Sequence, residues 1–152
     1  MTYMKRILAA SAVALFILFL SGCSAGAKVP DGFTNKEEHF GRAGLQDFTD
    51  YCKYSYNDNS PFENDPDYRQ ISGTDIAEIS GYFENFRSCM EALNRTDEYD
   101  FDTKCITPGD YVYITDKEGE RIGNSLYEKY DDYTVRFFDT DSRILYYLHF
   151  NI

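Results

Sequence analysis

Apolar and polar residues follow three different rhythms along this chain. The first is a run from Ile7 to Leu20, 14 residues broken only by Ser11 and preceded by Lys5-Arg6. A bilayer-spanning helix needs about 20 apolar residues, so this run is too short to be a transmembrane anchor. A basic start, a short apolar core and small residues after it (Ser21-Gly22) instead predict an export signal. The second rhythm begins near Asp47. Phe48, Cys52, Tyr54 and Tyr56 share one parity, and Thr49, Lys53 and Ser55 share the other, interrupted by Asp50. A period of two predicts a strand, although Leu45, Phe48 and Cys52 also fit a helix. Residues 57–71 are rich in Asn, Asp, Ser and Pro, and read as a loop.

The third rhythm is the clearest. Ile76, Ile79, Phe83, Phe86, Met90 and Leu93 recur at intervals of three and four, which places them on one face of a helix. Glu78, Glu84, Asn85, Arg87, Ser88 and Glu91 lie between them and suit water. Ser72-Gly73-Thr74-Asp75 fits a capping box, so the helix is predicted over about 22 residues from Ser72. Such an apolar stripe could line a pocket, but its ordinary role is a helix's core face. Beyond a polar stretch, Pro108-Gly109 marks a turn and Asp110–Thr115 a strand. Glu120–Ile122 is a candidate short strand. Tyr133–Asp139 and Ile144–Phe150 form a hairpin around Thr140–Arg143. One helix with one apolar face must cover one face of an antiparallel sheet. The expected fold is α+β: one long helix on a 4–5-stranded antiparallel sheet, in β-α-β-β-β order, as a two-layer sandwich.

Leu20-Ser21-Gly22-Cys23 closes the export signal. A cysteine directly after Leu-Ser-Gly resembles the lipobox of bacterial lipoproteins. The resemblance implies that Cys23 carries diacylglycerol and palmitate and becomes the first residue of the mature chain. That gives a signal peptide over 1–22, a flexible spacer over 23–44 and a single domain over 45–152. The spacer reading rests on Pro30, Gly32, Gly41 and Gly44 and on the lack of apolar periodicity. The mature part also resembles a group of uncharacterised small exported domains of Gram-positive anaerobes. The shared features are a Tyr-rich strand, Tyr82-Phe83-Glu84-Asn85-Phe86, Gly109-Asp110-Tyr111 and Asn151-Ile152. This second resemblance implies architecture and no activity.

Composition narrows the function classes. Losing Lys5 and Arg6 with the signal takes the formal charge from −11 to −13. No Lys/Arg stripe is present, so nucleic acid is disfavoured as a partner. The same acidity assigns membrane attachment to the lipid rather than to a basic patch. It either attracts a cationic partner or only solubilises an exported protein. Cys52, Cys89 and Cys105 allow at most one intramolecular disulfide, and none stands in a CxxC spacing. With only His39 and His149, a Cys/His zinc site is not expected, and the text implies no cofactor.

Three reactive constellations can be weighed. Asp97, Glu98, Asp100 and Asp102, or Asp139 and Asp141, are the candidate carboxylate pairs, but they sit in polar loop text where water keeps them ionised. Neither run satisfies the calcium-loop pattern. A Cys89 nucleophile would need His149 or His39, and no nucleophile elbow or phosphate-binding glycine motif occurs. No catalytic, metal-ligating or cofactor-binding residue is therefore nominated.

What remains is surface. If Ile144, Tyr146, Leu148 and Phe150 face the helix, then Leu145, Tyr147 and His149 face outward with Phe138, Tyr111 and Tyr113. Those six residues are the candidate interaction surface. The segment before Asp47, or self-association, could instead cover them. Together these features point to a non-catalytic, lipid-anchored extracytoplasmic binding module. Its partner would be a protein or cell-surface component. An inhibitor or immunity-type lipoprotein that blocks a cationic envelope enzyme or toxin is the alternative, and a cell-wall hydrolase is the third reading.

Overall fold

A computed structural model describes residues 28–42, 48–116 and 132–151. Cys23, the signal peptide, Leu45 and the candidate strand Glu120–Ile122 lie outside the described residues, as does Ile152. Among the described residues the strands are β1 (Asn35–Arg42), β2 (Phe48–Ser55), β3 (Arg69–Gln70), β4 (Tyr111–Asp116), β5 (Asp132–Asp139) and β6 (Ile144–Asn151). They form one antiparallel sheet in the order β1-β2-β6-β5-β4-β3. The helices are α1 (Ser60–Glu63) and α2 (Ile76–Ala92). The fold is thus α+β, with six strands where four or five were expected.

Two strands are unexpected: the two-residue β3 lies in the stretch read as loop, and β1 lies in the predicted spacer. All eight residues of β1 pair with β2, from Asn35 opposite Ser55 to Arg42 opposite Phe48. Apolar alternation does not mark β1 because it is a charged edge, Asn-Lys-Glu-Glu-His-Phe-Gly-Arg, of the kind that resists edge-to-edge association. Other residues of the predicted spacer, from Lys28 onward, are also fastened to the domain. Tyr68 donates its hydroxyl to the Lys28 carbonyl at 3.2 Å, and Tyr56 donates to the Pro30 carbonyl at 2.7 Å.

α2 is shorter than its sequence signal, at 17 residues or about 26 Å. Asp75 does reach back to Ser72, accepting its N–H at 2.8 Å and its hydroxyl at 2.6 Å. These bonds close a turn ahead of the helix, and Asp75 itself takes the cap position. Ile79, Phe83, Phe86 and Met90 are fully buried, as the stripe predicts, and Tyr82 joins them. Leu93 lies past the helix end and is exposed. The helix face packs on Val112, Ile114, Tyr133, Val135, Phe137, Leu148 and Phe150, one parity of the central strands.

The topology requires a cover on the other face as well. β2 and β3 are separated by three strands, so the chain between them must cross the sheet. It does so over residues 56–68, on the face opposite α2. Phe62 of α1 stacks on Phe138 at 3.7 Å, and Tyr68 packs on Tyr113 at 5.8 Å. With Cys52, Tyr54, Tyr56 and Leu145 they form a second buried cluster, against which Val29 also packs. The predicted two-layer arrangement therefore gains a thin third layer, drawn from segments read as loop and spacer.

Candidate functional site

The sheet places the six residues of the candidate interaction surface on one face, but most of them are covered. Phe138 and Leu145 are fully buried and Tyr113 is 4% exposed. Tyr111 and Tyr147 are half-buried against the same cluster. His149 has Nδ1 3.5 Å from Asp50 and its ring stacked on Phe48 at 5.7 Å. The expected outward aromatic patch is thus a second core. Residues 56–68 and Val29 occupy it because the sheet crossing has to lay its own aromatic side chains somewhere dry.

The titratable groups gather elsewhere, where the end of α2 meets the β1–β2 edge. The helix closes in a Schellman motif: Asn94 adopts a φ of 54°, Asn94 N–H donates to Glu91 and Arg95 N–H to Met90 at 2.8 Å. That turn delivers the Arg95 guanidinium onto Gly41, where a Cβ would overlap it. Arg95 donates to the Thr49 hydroxyl at 2.9 Å and grips Glu98 with two bonds of 2.9 and 2.5 Å. Next to it, Lys53 bridges Asp100 at 2.6 Å and Glu37 at 3.1 Å. The buried Tyr51 donates to Asp100 at 2.7 Å, and His39 stands 3.1 Å from Glu37 and 3.9 Å from Glu98.

This network fixes the protonation of its acids. Arg95 holds the Glu98 carboxyl below its ordinary range, and His39 and then Lys53 do the same for Glu37. Burial pushes Asp100 upward, but the bonds from Lys53 and Tyr51 outweigh it and the net shift is downward. A general acid needs the opposite shift. Of the candidate carboxylates, Glu98 and Asp100 come together here. Asp102 instead caps a separate turn through Lys104 N–H. Asp139 and Asp141 fall in the β5–β6 loop, where Asp139 accepts from Asp141 N–H, Ser142 N–H and the Ser142 hydroxyl. Among the described residues no three His, Cys, Asp or Glu side chains are grouped to hold a metal ion.

The thiols are also far from reactive. Burial raises Cys89 and drives Cys52 and Cys105 up to about 12, whereas a nucleophilic cysteine needs a lowered value. Cys89 packs on the helix side of the sheet and His149 lies on the other, so the sheet separates that pair. Cys52, Cys89 and Cys105 are all free thiols.

Asp110 is the site that sequence reading passed over. It is fully buried and accepts four bonds, from the N–H and hydroxyl of Thr107 and from the N–H and hydroxyl of Thr140. Its partners are all supplied, so it clasps the turn before β4 to the β5–β6 loop. The preceding Gly109, at a φ of 105°, was its signal. No family model, curated protein or solved structure matches the chain. Among the described residues no helix is long and apolar enough to cross a membrane.

Proposed function

We propose that this protein is a lipid-anchored extracytoplasmic interaction module that binds a partner without transforming it. The observation that carries the reading is Leu20-Ser21-Gly22-Cys23 behind a basic, 14-residue apolar leader. The ion network supports it, because Glu37, Glu98 and Asp100 are all held ionised and clamp the sheet edge to the end of α2. Replacing Cys23 with Ala is expected to abolish incorporation of a fatty-acid analogue and to release the protein from membranes. Label retained by Cys23→Ala would end the reading.

The inhibitor or immunity-type alternative draws on the mature charge of −13 and on the exposed acids Asp58 and Glu63. Its mark is a cationic envelope protein captured at low salt and lost at high salt. Capture that is indifferent to salt favours the first reading.

A further inference from the structure

The lipid-anchor reading has a geometric consequence, and the following inference rests on it. Lys28 is already fixed to the domain through Asp67 at 2.8 Å and through Tyr68. Only residues 24–27 separate Cys23 from it. Five residue steps span at most about 17 Å, whatever their conformation. The headgroup layer takes up about 5–7 Å of that reach. The clearance left is comparable with the Debye length of about 8–10 Å. Lys28 also lies over the Tyr113 ring, on the sheet face opposite α2. That face is the one the short link brings to the bilayer.

The same face carries the side chains a headgroup layer accepts. Phe33 and Phe40 are each 43% exposed, the two most exposed large apolar side chains among the described residues. Phe33 packs on Tyr54 and Tyr56, which belong to the covered face. Phe40 pairs with Asp50, whose partner on β6 is His149, on that face as well. Lys36 and Arg42 alternate with Phe40 on the same side of β1. Lys36 lies over the Tyr54 ring and pairs with Glu38, and Arg42 lies over Phe48. Aromatic side chains interleaved with cations are the pattern of an interfacial contact. Of the acids of the crossing segment, Asp67 lies beside the tether point and is already paired with Lys28.

We propose that the β1 side of this face, through Phe33, Lys36, Phe40 and Arg42, docks on the headgroups of the membrane that holds the Cys23 lipid. The outer side of α2 then points away from the bilayer and is the surface left for a protein partner. The lipid supplies the first membrane signal and this rim the second, so the domain is held in one orientation.

The test uses the full lipidated protein in vesicles of phosphatidylcholine with a fifth part phosphatidylglycerol and a trace of acceptor-labelled lipid. A fluorescent amino acid is placed either at position 38 on β1 or at position 84 on α2. Energy transfer is expected to be several-fold stronger from position 38. Phe33→Ser with Phe40→Ser should abolish most of that difference while flotation with vesicles is unchanged. Lys36→Glu with Arg42→Glu should reduce it only on vesicles that contain phosphatidylglycerol. Equal transfer from both positions in a protein that floats overturns the docking and leaves the face open to a soluble partner. Flotation that survives Cys23→Ala overturns the anchor reading instead, so the two failures are distinct.

Discussion

The two faces of the sheet hold cores of similar chemistry built in opposite ways. On one face a single 17-residue helix lays Ile79, Phe83, Phe86 and Met90 across the central strands. On the other, a four-residue helix and two stretches of irregular chain bring in Phe62, Tyr68 and Val29 one at a time. Both bury aromatic rings completely, with Phe83 stacked on Phe101 at 3.8 Å and Phe62 on Phe138 at 3.7 Å. Repeated elements are therefore not required for a dry core. A crossing connection with two well-placed rings is enough, provided the backbone polar groups around them find partners.

The strongest challenge to this equivalence is to delete one ring from each side. Phe83→Ala is expected to cost about 3–5 kcal/mol, as large core truncations do. A midpoint of urea unfolding that does not move would remove α2 from the core. Phe62→Ala is expected to cost about 3 kcal/mol and to lower the same single transition. Were Phe62→Ala instead to leave the transition in place and only increase binding of a hydrophobic dye, the second face would be a lid over the sheet and not a core.

Smaller effects are expected where the helix face ends. Gly41→Ala should cost about 1 kcal/mol through the lost bond between Arg95 and Thr49, and Arg95→Ala more, because its pair with Glu98 is lost as well. Their effects should not add in the double variant, because both remove the same seat. Additive losses would show that Gly41 has some other role. The acids of that corner set the mildest effect. Glu37, Glu98 and Asp100 titrate lower folded than unfolded. The unfolded chain therefore takes up protons first as pH falls. Stability from these groups is fully present above the ordinary carboxylate values, near 4, and is lost as pH drops through the lower folded ones. Urea midpoints compared at about pH 6 and pH 3 should fall for the parent and fall less for Asp100→Asn.

The contrast between the faces also explains how much could be read in advance. The stripe from Ile79 to Met90 and the alternation in β4, β5 and β6 are periodic, and periodicity is local. Phe62 and Tyr68 are single aromatic residues among Asp, Asn and Pro, and no period marks them. Their burial follows from β2 and β3 standing on opposite sides of the sheet, and β3 has only two residues to announce it. β1 was hidden for a related reason, since an edge strand with mostly exposed residues carries charges where alternation would otherwise show. The ion network depends on Asn94 turning the helix end toward Gly41, so its parts, far apart in sequence, meet only in the fold. Asp139 and Asp141 were visible as a pair, but their backbone partners were not.

The strand order carries a kinetic consequence. β6 is the last described strand in the chain, yet it sits at the middle of the sheet, zipped to β2 on one side and β5 on the other. Until Ile144–Asn151 arrives, both of those neighbours present open edges and neither ring cluster can shut. Assembly must therefore wait for partners about ninety positions apart, as Ser55 and Ile144 are, a separation that slows folding.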